Sequence, residues 1–475
     1  MTSNEADLSC VGWPRVSLGE LGELYCGQSP ASSAVNTEGH GVPYVSGPEQ
    51  WDGTTLHLGK WTTEARRVVP VGCVFVTVKG AGVGTVFPGV QAAIGRDIYA
   101  FKPNEKADAR FVEHALRHSV AEVVRSARGD IPGLSKHHLL EHEIALPSLE
   151  DQKKTVDEIE KQFTRLDAGV AALDRVQVNL KRYRAAVLKA ACVGRLVPTE
   201  GELARREGRS YETGDQLLRR ILAERQARWN GRGAYEQPAR ADLTALPQLP
   251  DGWVWARLEQ LGVVFGGLTK NPRRARLPKK LPYLRVANVY ANELRLEEIE
   301  VIGVADAEMA KLLVEPGDLL IVEGNGSKNQ IGRLAIWDGS IEPCVHQNHL
   351  IKVRLVDPQL GKWILYWLLS PSGRSLVEVV ASSTSGLYTL SVNKVGDLPI
   401  AIPPLPEQTR VVEEIERRFS VADELKAGAA ANLQRATRLR QSVLQRAFSG
   451  TLVSRRRDPS CQGAVLRRSG AEDLP

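Results

Sequence analysis

Two Asp/Glu-x-Lys triplets, Asp151 to Lys153 and Glu424 to Lys426, have the residue types of a metal-assisted nuclease. Both fall in long proline-free stretches rich in Ala, Leu, Glu, Arg and Lys, where alternating charges make a salt-bridged helix surface, and they are read as that surface. The Asn-Pro and Asp-Pro pairs at Asn271, Asp357 and Asp458 lack the second proline and the aromatic residue of an adenine methyltransferase loop. No GxxxxGK[ST] phosphate loop occurs, so ATP hydrolysis has no support. "KGAGVG", Lys79 to Gly84, lies between β-branched runs rather than before a helix, which makes it a hairpin turn and not a dinucleotide cradle. His346 and His349 in "CVHQNHL" have no cysteine or carboxylate at ligand spacing; a nucleic-acid-facing or buried hydrogen-bonding role fits them better than zinc.

The elements that would position such side chains come from a repeat. Leu149 to Val197 aligns with Leu405 to Val453 without a gap at an offset of 256, matching Gln152 with Gln408, Phe163 with Phe419, and Gly194 with Gly450. Each copy predicts one helix of about 45 residues, roughly 67 Å long. Ser148 and Asp151 form a capping box, Pro406 suits a first turn, and Gly194 and Gly450 suit the left-handed residue past each end. Ile159, Leu166, Leu173, Leu180 and Val187 recur every seven residues, with Phe163 on the adjoining seam; Ile415, Ala422, Ala429, Ala436 and Val443 answer them, with Phe419 beside. An antiparallel pairing with Leu173 opposite Ala429 sets large knobs against small holes. Gln177, Arg184, Lys426 and Arg440 interrupt that seam and are expected to face solvent, DNA or another subunit.

The repeat extends upstream. "GWPRVSLGELGELYCG" and "GWVWARLEQLGVVFGG" are each followed by Pro-Tyr and then by a strand, a glycine loop and a strand. The expected organisation is a globular domain over residues 1–147, a long helix over 148–197, a connector over 198–250, a second domain over 251–403, a second helix over 404–453 and a tail over 454–475. The fold class is mixed α/β: two globular domains separated by two long antiparallel helices in a coiled coil.

Composition agrees. With 43% hydrophobic and 25% charged residues the chain can bury real cores, and six scattered cysteines read as reduced thiols of a cytoplasmic protein. The N-terminus lacks the charged and apolar regions of a signal peptide, and no apolar run reaches the ~20 residues of a membrane span. A formal charge of +6 permits a nucleic-acid partner without requiring one.

Taken together, the two domains, the "LPSLEDQ" and "IPPLPEQ" helix starts and the "GRLVP" and "FSGTLV" helix ends resemble the specificity subunits of type I restriction-modification systems, often called HsdS. The resemblance covers nearly the whole chain. It implies a non-catalytic subunit whose domains are target-recognition domains, each reading half of a bipartite double-stranded DNA site. It further implies two modification subunits that use S-adenosylmethionine and two restriction subunits that use ATP and Mg, with no cofactor in this chain. A self-contained enzyme and a purely structural coiled-coil scaffold are the alternatives.

Basic, loop-like stretches are the candidate DNA contacts. "KNPRRARLPKKLPYLR" holds seven basic residues and no acidic one, so Arg273, Arg274, Arg276, Lys279 and Lys280 are read as a phosphate-contacting arm. Asn325, Lys328, Asn329 and Arg333 could hydrogen-bond base edges. In the first domain the corresponding residues are Lys79 and Arg96, with Arg128, Lys136 and His137 in "RSARGDIPGLSKHH"; Tyr388 stands in the second domain's counterpart of that segment.

Overall fold

The computed structural model describes residues 12–452 apart from 81, 128–132, 230–232, 243–245, 328–329 and 385–386. Residues 1–174 with 429–475 form one compact unit and residues 175–428 a second. Each unit thus takes one globular domain and a part of each long helix.

In the first unit, β1 (Gly22–Cys26), β2 (Val74–Thr77), β3 (Val86–Pro88) and β4 (Ile98–Pro103) form an antiparallel sheet in the order β1-β4-β2-β3. Every residue of β2 is buried, because both faces are covered. Val74 and Val76 join the core under helix α1 (Ala109–Ser126), whereas Phe75 between them joins Phe87 and Ile94 on the opposite face, the period-two alternation of a strand. Asp108 caps α1, its Oδ1 accepting from the Arg110 and Phe111 amides at 2.9 and 3.0 Å. A short helix, α2 (Lys136–Leu140), precedes the domain's last strand.

The second unit begins with the C-terminal half of the central helix and the connector. The connector holds α3 (Glu200–Glu207) and α4 (Gly214–Ala227), each started by a threonine capping box, Thr199 with Glu202 and Thr213 with Gln216. Leu217, Leu218 and Ile221 of α4 are buried in the same core as Trp253 and Leu258. The Glu200 carboxylate is buried between Arg209 at 2.6 Å and Arg410 at 2.7 Å, and its amide donates to Glu407, which also accepts from the Trp253 indole at 3.0 Å. The connector is therefore a strap clamped to the first turn of the C-terminal helix.

The second domain repeats the first. Strands β5 (Gly262–Gly266), β6 (Leu319–Val322), β7 (Leu334–Ile336) and β8 (Leu350–Leu355) form a sheet ordered β5-β8-β6-β7, covered by α5 (Gly361–Leu369), and α6 (Val392–Gly396) precedes its last strand. In both domains the first strand pairs antiparallel with the last, Arg15–Ser17 with Glu143–Ala145 and Val254–Arg257 with Pro399–Ile402. These ribbons close each domain and deliver the chain directly into a long helix.

The two long helices, Leu149–Cys192 and Leu405–Phe448, are 44 residues each and antiparallel. Ser148 Oγ accepts from the Asp151 amide at 3.2 Å, and Gly194 and Gly450 end the helices at φ 66° and 73°. Ala422, Ala429, Ala436 and Val443 are buried every seventh residue, as are Ile159, Val187 and Ile415, while Leu166, Leu173 and Leu180 are half-buried. Two seam positions expected to be open surface are occupied differently. In the first unit Arg440 lies over the Phe163 ring and pairs with Asp167; in the second, Arg184 lies over the Phe419 ring and pairs with Asp423. Gln177 is half-buried and Lys426 exposed.

Burial pushes the Cys73 thiol up to about 11 and those of Cys192 and Cys344 to about 12, so these cysteines are unreactive packing residues. Among the described residues no helix is long and apolar enough to cross a membrane, and no cluster of His, Cys, Asp and Glu could hold a metal ion.

Candidate nucleic-acid interface

In each domain three loops meet where the central strand of the sheet ends. In the first, the Val78 amide donates to the Asp97 carbonyl at 2.8 Å and the Val78 carbonyl accepts from the Leu134 amide at 2.9 Å, while Lys79 bridges to Gly133. The glycine loop after β2 is the hairpin its sequence implies: the Gly84 amide returns to the Thr77 carbonyl at 2.9 Å, with Gly84 at φ 88°. Ser135 caps α2 by accepting from the His138 amide. This junction brings Lys79, Arg96, Lys136 and His137 to one edge, all exposed. Arg96 has Asp97 at 3.9 Å, and His137 has Glu141 at 2.8 Å. Arg128 lies outside the described residues.

The second domain builds the same junction from different residues. The Glu323 amide donates to the His349 carbonyl at 2.9 Å, and the Glu323 carbonyl accepts from the Leu390 amide at 2.8 Å. Asn325 pairs with Tyr388 between short strands, Tyr388 is half-buried, and Ser391 caps α6 through the Lys394 amide. Lys328 and Asn329 lie outside the described residues. The Glu323 carboxylate sits 3.3 Å from His349 Nδ1. Burial raises its pKa against the lowering effect of that imidazole.

Two groups of these residues are held by the rest of the domain. Arg333 donates to the Val286 carbonyl at 2.8 Å and lies 4.5 Å from the Tyr290 ring centre, which Arg295 also approaches at 3.8 Å, so its guanidinium helps to fix the 286–290 segment. The basic stretch is held as well. Pro272–Arg276 is a 3-10 turn capped by Asn271, and Lys280–Leu284 is a strand paired with Glu300–Gly303. That pairing and the following turn bring acid to a segment that has none of its own. Arg274, nearly buried, forks onto Glu308 at 2.9 and 3.0 Å and bonds the Thr269 and Gly303 carbonyls. Lys279 pairs with Asp306 at 3.2 Å, Lys280 donates to the carbonyls of Arg274 and Ala275, and Arg285 and Lys270 share Glu300. Arg273 and Arg276 remain exposed and form no ion pair among the described residues.

His346 and His349 separate cleanly. His346 is fully buried with Nδ1 2.9 Å from the Leu350 carbonyl, whereas His349 is exposed at the loop junction.

Comparison with known proteins finds relatives of this architecture. Residues 10–169 match the family described as "Type I restriction modification DNA specificity domain". The EcoKI specificity subunit of Escherichia coli K12 is 25% identical over 316 residues, 66% of this chain but 58% of the relative's own length. The EcoDI specificity subunit of Escherichia coli is 23% identical over 450 residues, 94% of this chain and 89% of the relative. A solved chain described as the "structural basis underlying complex assembly and conformational transition of the type I R-M system" superposes with a TM-score of 0.61 at 18% identity, covering 93% of this chain and 98% of that chain. The chain is similar to these type I specificity subunits over most of its length. The family match ends within the central helix, and the second domain repeats the first domain's strand order and loop junction beyond it.

Proposed function

We propose that this chain is the non-catalytic DNA-recognition subunit of a type I restriction-modification complex. Each globular domain reads one half of a bipartite double-stranded site, and the paired helices set the gap between the halves. Two modification subunits using S-adenosylmethionine and two restriction subunits using ATP and Mg assemble on it and do the chemistry. The observation that carries this reading is the repeated loop junction: one backbone frame, built twice, presenting Lys79, Arg96, Lys136 and His137 in one domain and Glu323, His349 and Tyr388 in the other. A repeated frame with different side chains is what two different half-sites require.

Gel-shift assays with the purified chain, alone and with its modification subunits, test the proposal. Salt-dependent binding that becomes sequence-selective in the complex supports it. No DNA binding in either form would leave a structural scaffold, and methyl transfer, DNA cleavage or ATP hydrolysis by the chain alone would make it an enzyme.

A further inference from the structure

A carboxylate on a surface that meets a polyanion needs a reason. Phosphates repel it, and in this chain the loop junction of the first domain carries cations, with Asp97 and Glu141 as side partners. Glu323 occupies the position that Val78 fills in the first domain, identified by the same two backbone bonds, and Val78 is fully buried apolar core. The second domain has therefore put an acid where packing alone would take a valine.

The geometry of that acid is constrained. Glu323 follows β6 directly, and both its amide and its carbonyl are bonded, to the His349 carbonyl and the Leu390 amide, so its side chain leaves a fixed backbone. The carboxylate is 28% exposed, enough to reach a ligand, and its neighbour His349 is 55% exposed. His349 Nδ1 meets one carboxylate oxygen, Oε2, at 3.3 Å, and Oε1 has no hydrogen-bond partner among the described residues. An imidazole donating through Nδ1–H orients the carboxylate, a positioning role for His349. No arginine or lysine pairs with Glu323 among the described residues, so a simple surface ion pair does not account for it.

Within duplex DNA, the groups that favour a carboxylate are the exocyclic amino donors that bases expose in the major groove, cytosine N4 and adenine N6. Resting on the DNA-recognition reading above, we propose that Glu323, oriented by His349, is a specificity-determining residue that accepts a hydrogen bond from an exocyclic amino group of one base in the half-site read by the second domain. The acid is discriminating because it is repelled wherever that amino group is replaced by a carbonyl or an N7 acceptor.

The test uses the assembled modification complex. The methylated motif of cells carrying the wild type defines the two half-sites. Duplexes are then made in which each cytosine or adenine of the second domain's half-site is replaced singly by its analogue without the amino group, 2-pyrimidinone or purine. The wild-type complex should lose binding by roughly 5- to 150-fold at one position, the range of a single good base contact, and that penalty should vanish in Glu323→Ala and shrink in Glu323→Gln, whose amide oxygen still accepts but carries no charge. The position affected distinguishes cytosine N4 from adenine N6. His349→Ala should shrink the penalty while His349→Asn, which keeps a donor, should restore part of it. In cells, Glu323→Ala should relax one base of one half-site and leave the other half-site and the gap unchanged. A wild-type complex that binds its motif yet shows no amino-group penalty coupled to Glu323 overturns this inference while leaving the recognition function intact. A wild-type complex with no sequence selectivity would instead remove the reading on which it rests. The analogue scan on wild-type protein keeps the inference falsifiable even where a variant fails to fold, because absence of any amino-group penalty overturns it by itself.

Discussion

The guanidinium of Arg440 lies 5.3 Å from the centre of the Phe163 ring, and its charge pairs with Asp167 one helical turn further along the facing helix. The same three residue types recur 256 positions away in the other unit, where Arg184 lies 4.7 Å from the Phe419 ring and pairs with Asp423. Around each ring the globular domain supplies two more contacts. His114 stands edge-on to Phe163 and Arg110 pairs with Glu160; Tyr366 stands edge-on to Phe419 and Lys362 pairs with Glu416. Each phenylalanine is thus the pin that joins two long helices and one domain. A guanidinium can sit on this seam because its flat face stacks on the ring while its edge reaches a carboxylate, something an ammonium does poorly.

Truncation of either arginine should therefore weaken its own unit. Arg440→Ala and Arg184→Ala should each cost about 1–2 kcal/mol, with Lys recovering less than half, since part of the contact is solvent-screened. The pairs share no partner, so the two effects should add within about 0.5 kcal/mol. Denaturant unfolding of the single and double variants measures this; a loss below about 0.3 kcal/mol for both would show the stack to be incidental.

The basic stretch now divides into two roles. Arg273→Ala with Arg276→Ala should weaken binding about equally on cognate and non-cognate DNA, with each lost phosphate contact lowering the salt slope by roughly 0.9. Arg274→Ala should leave that slope unchanged and instead destabilise the second domain by on the order of 2 kcal/mol, because it strips a fork from Glu308 and two carbonyls. Salt titrations of binding, run beside thermal unfolding, separate the two. A slope change from Arg274→Ala alone would reverse the assignment.

This division shows what the sequence could and could not tell. The long helices were legible because their information is local and stated twice: caps, heptads and the glycine stops lie within each copy. The fork of Arg274 was not legible because its partner Glu308 comes 34 residues later, and a window of sixteen residues without acid says nothing of what a strand pairing will bring beside it. The contacts of Arg333 with Tyr290 and the Val286 carbonyl were hidden for the same reason. Arg184 and Arg440 looked like faults in a heptad because the ring each covers belongs to the other helix. The loop junction was invisible for a different reason: its frame is backbone bonding between three segments, which leaves no residue-type signature.

Acid should destabilise the chain well above the range in which carboxylates titrate. Burial lowers the His346 imidazole to about 4 and that of His114 to about 3, and pushes His118 and His142 in the same direction. In the unfolded chain histidine titrates near 6.5. A folded value below the unfolded one means that protons bind the unfolded chain preferentially, so stability is complete above about pH 6.5 and falls as pH drops toward 4. Each such histidine contributes up to about 1.4 kcal/mol per pH unit in that window. Denaturant midpoints measured from pH 7 to 4.5 should fall steeply, and His114→Gln with His346→Gln should flatten the fall relative to its own value at pH 7. Parallel curves for wild type and double variant would refute the attribution.

The final prediction concerns the length of the helices, each an unbroken 44 residues that run from one unit into the other. If they set the gap between half-sites, removing one heptad from both should shorten that gap without changing the bases read. Deleting Leu173 to Asn179 together with Ala429 to Arg435 preserves the seven-residue phase, and it spares Phe163, Asp167, Arg184, Phe419, Asp423 and Arg440, the pins at either end. The deletion removes roughly 10 Å at 1.5 Å per residue, about three base pairs at 3.4 Å each. Deleting one heptad from a single helix leaves its partner's seam unmatched and should mainly destabilise the chain. The double deletion also rotates one domain's target face about the DNA axis, so affinity should drop even at the best new spacing. A methylome of cells carrying the double deletion reads the result directly. The same two half-sites with a gap shorter by about three base pairs would establish the helices as the ruler, whereas an active complex that keeps the original gap would assign the spacing to some other part of the assembly.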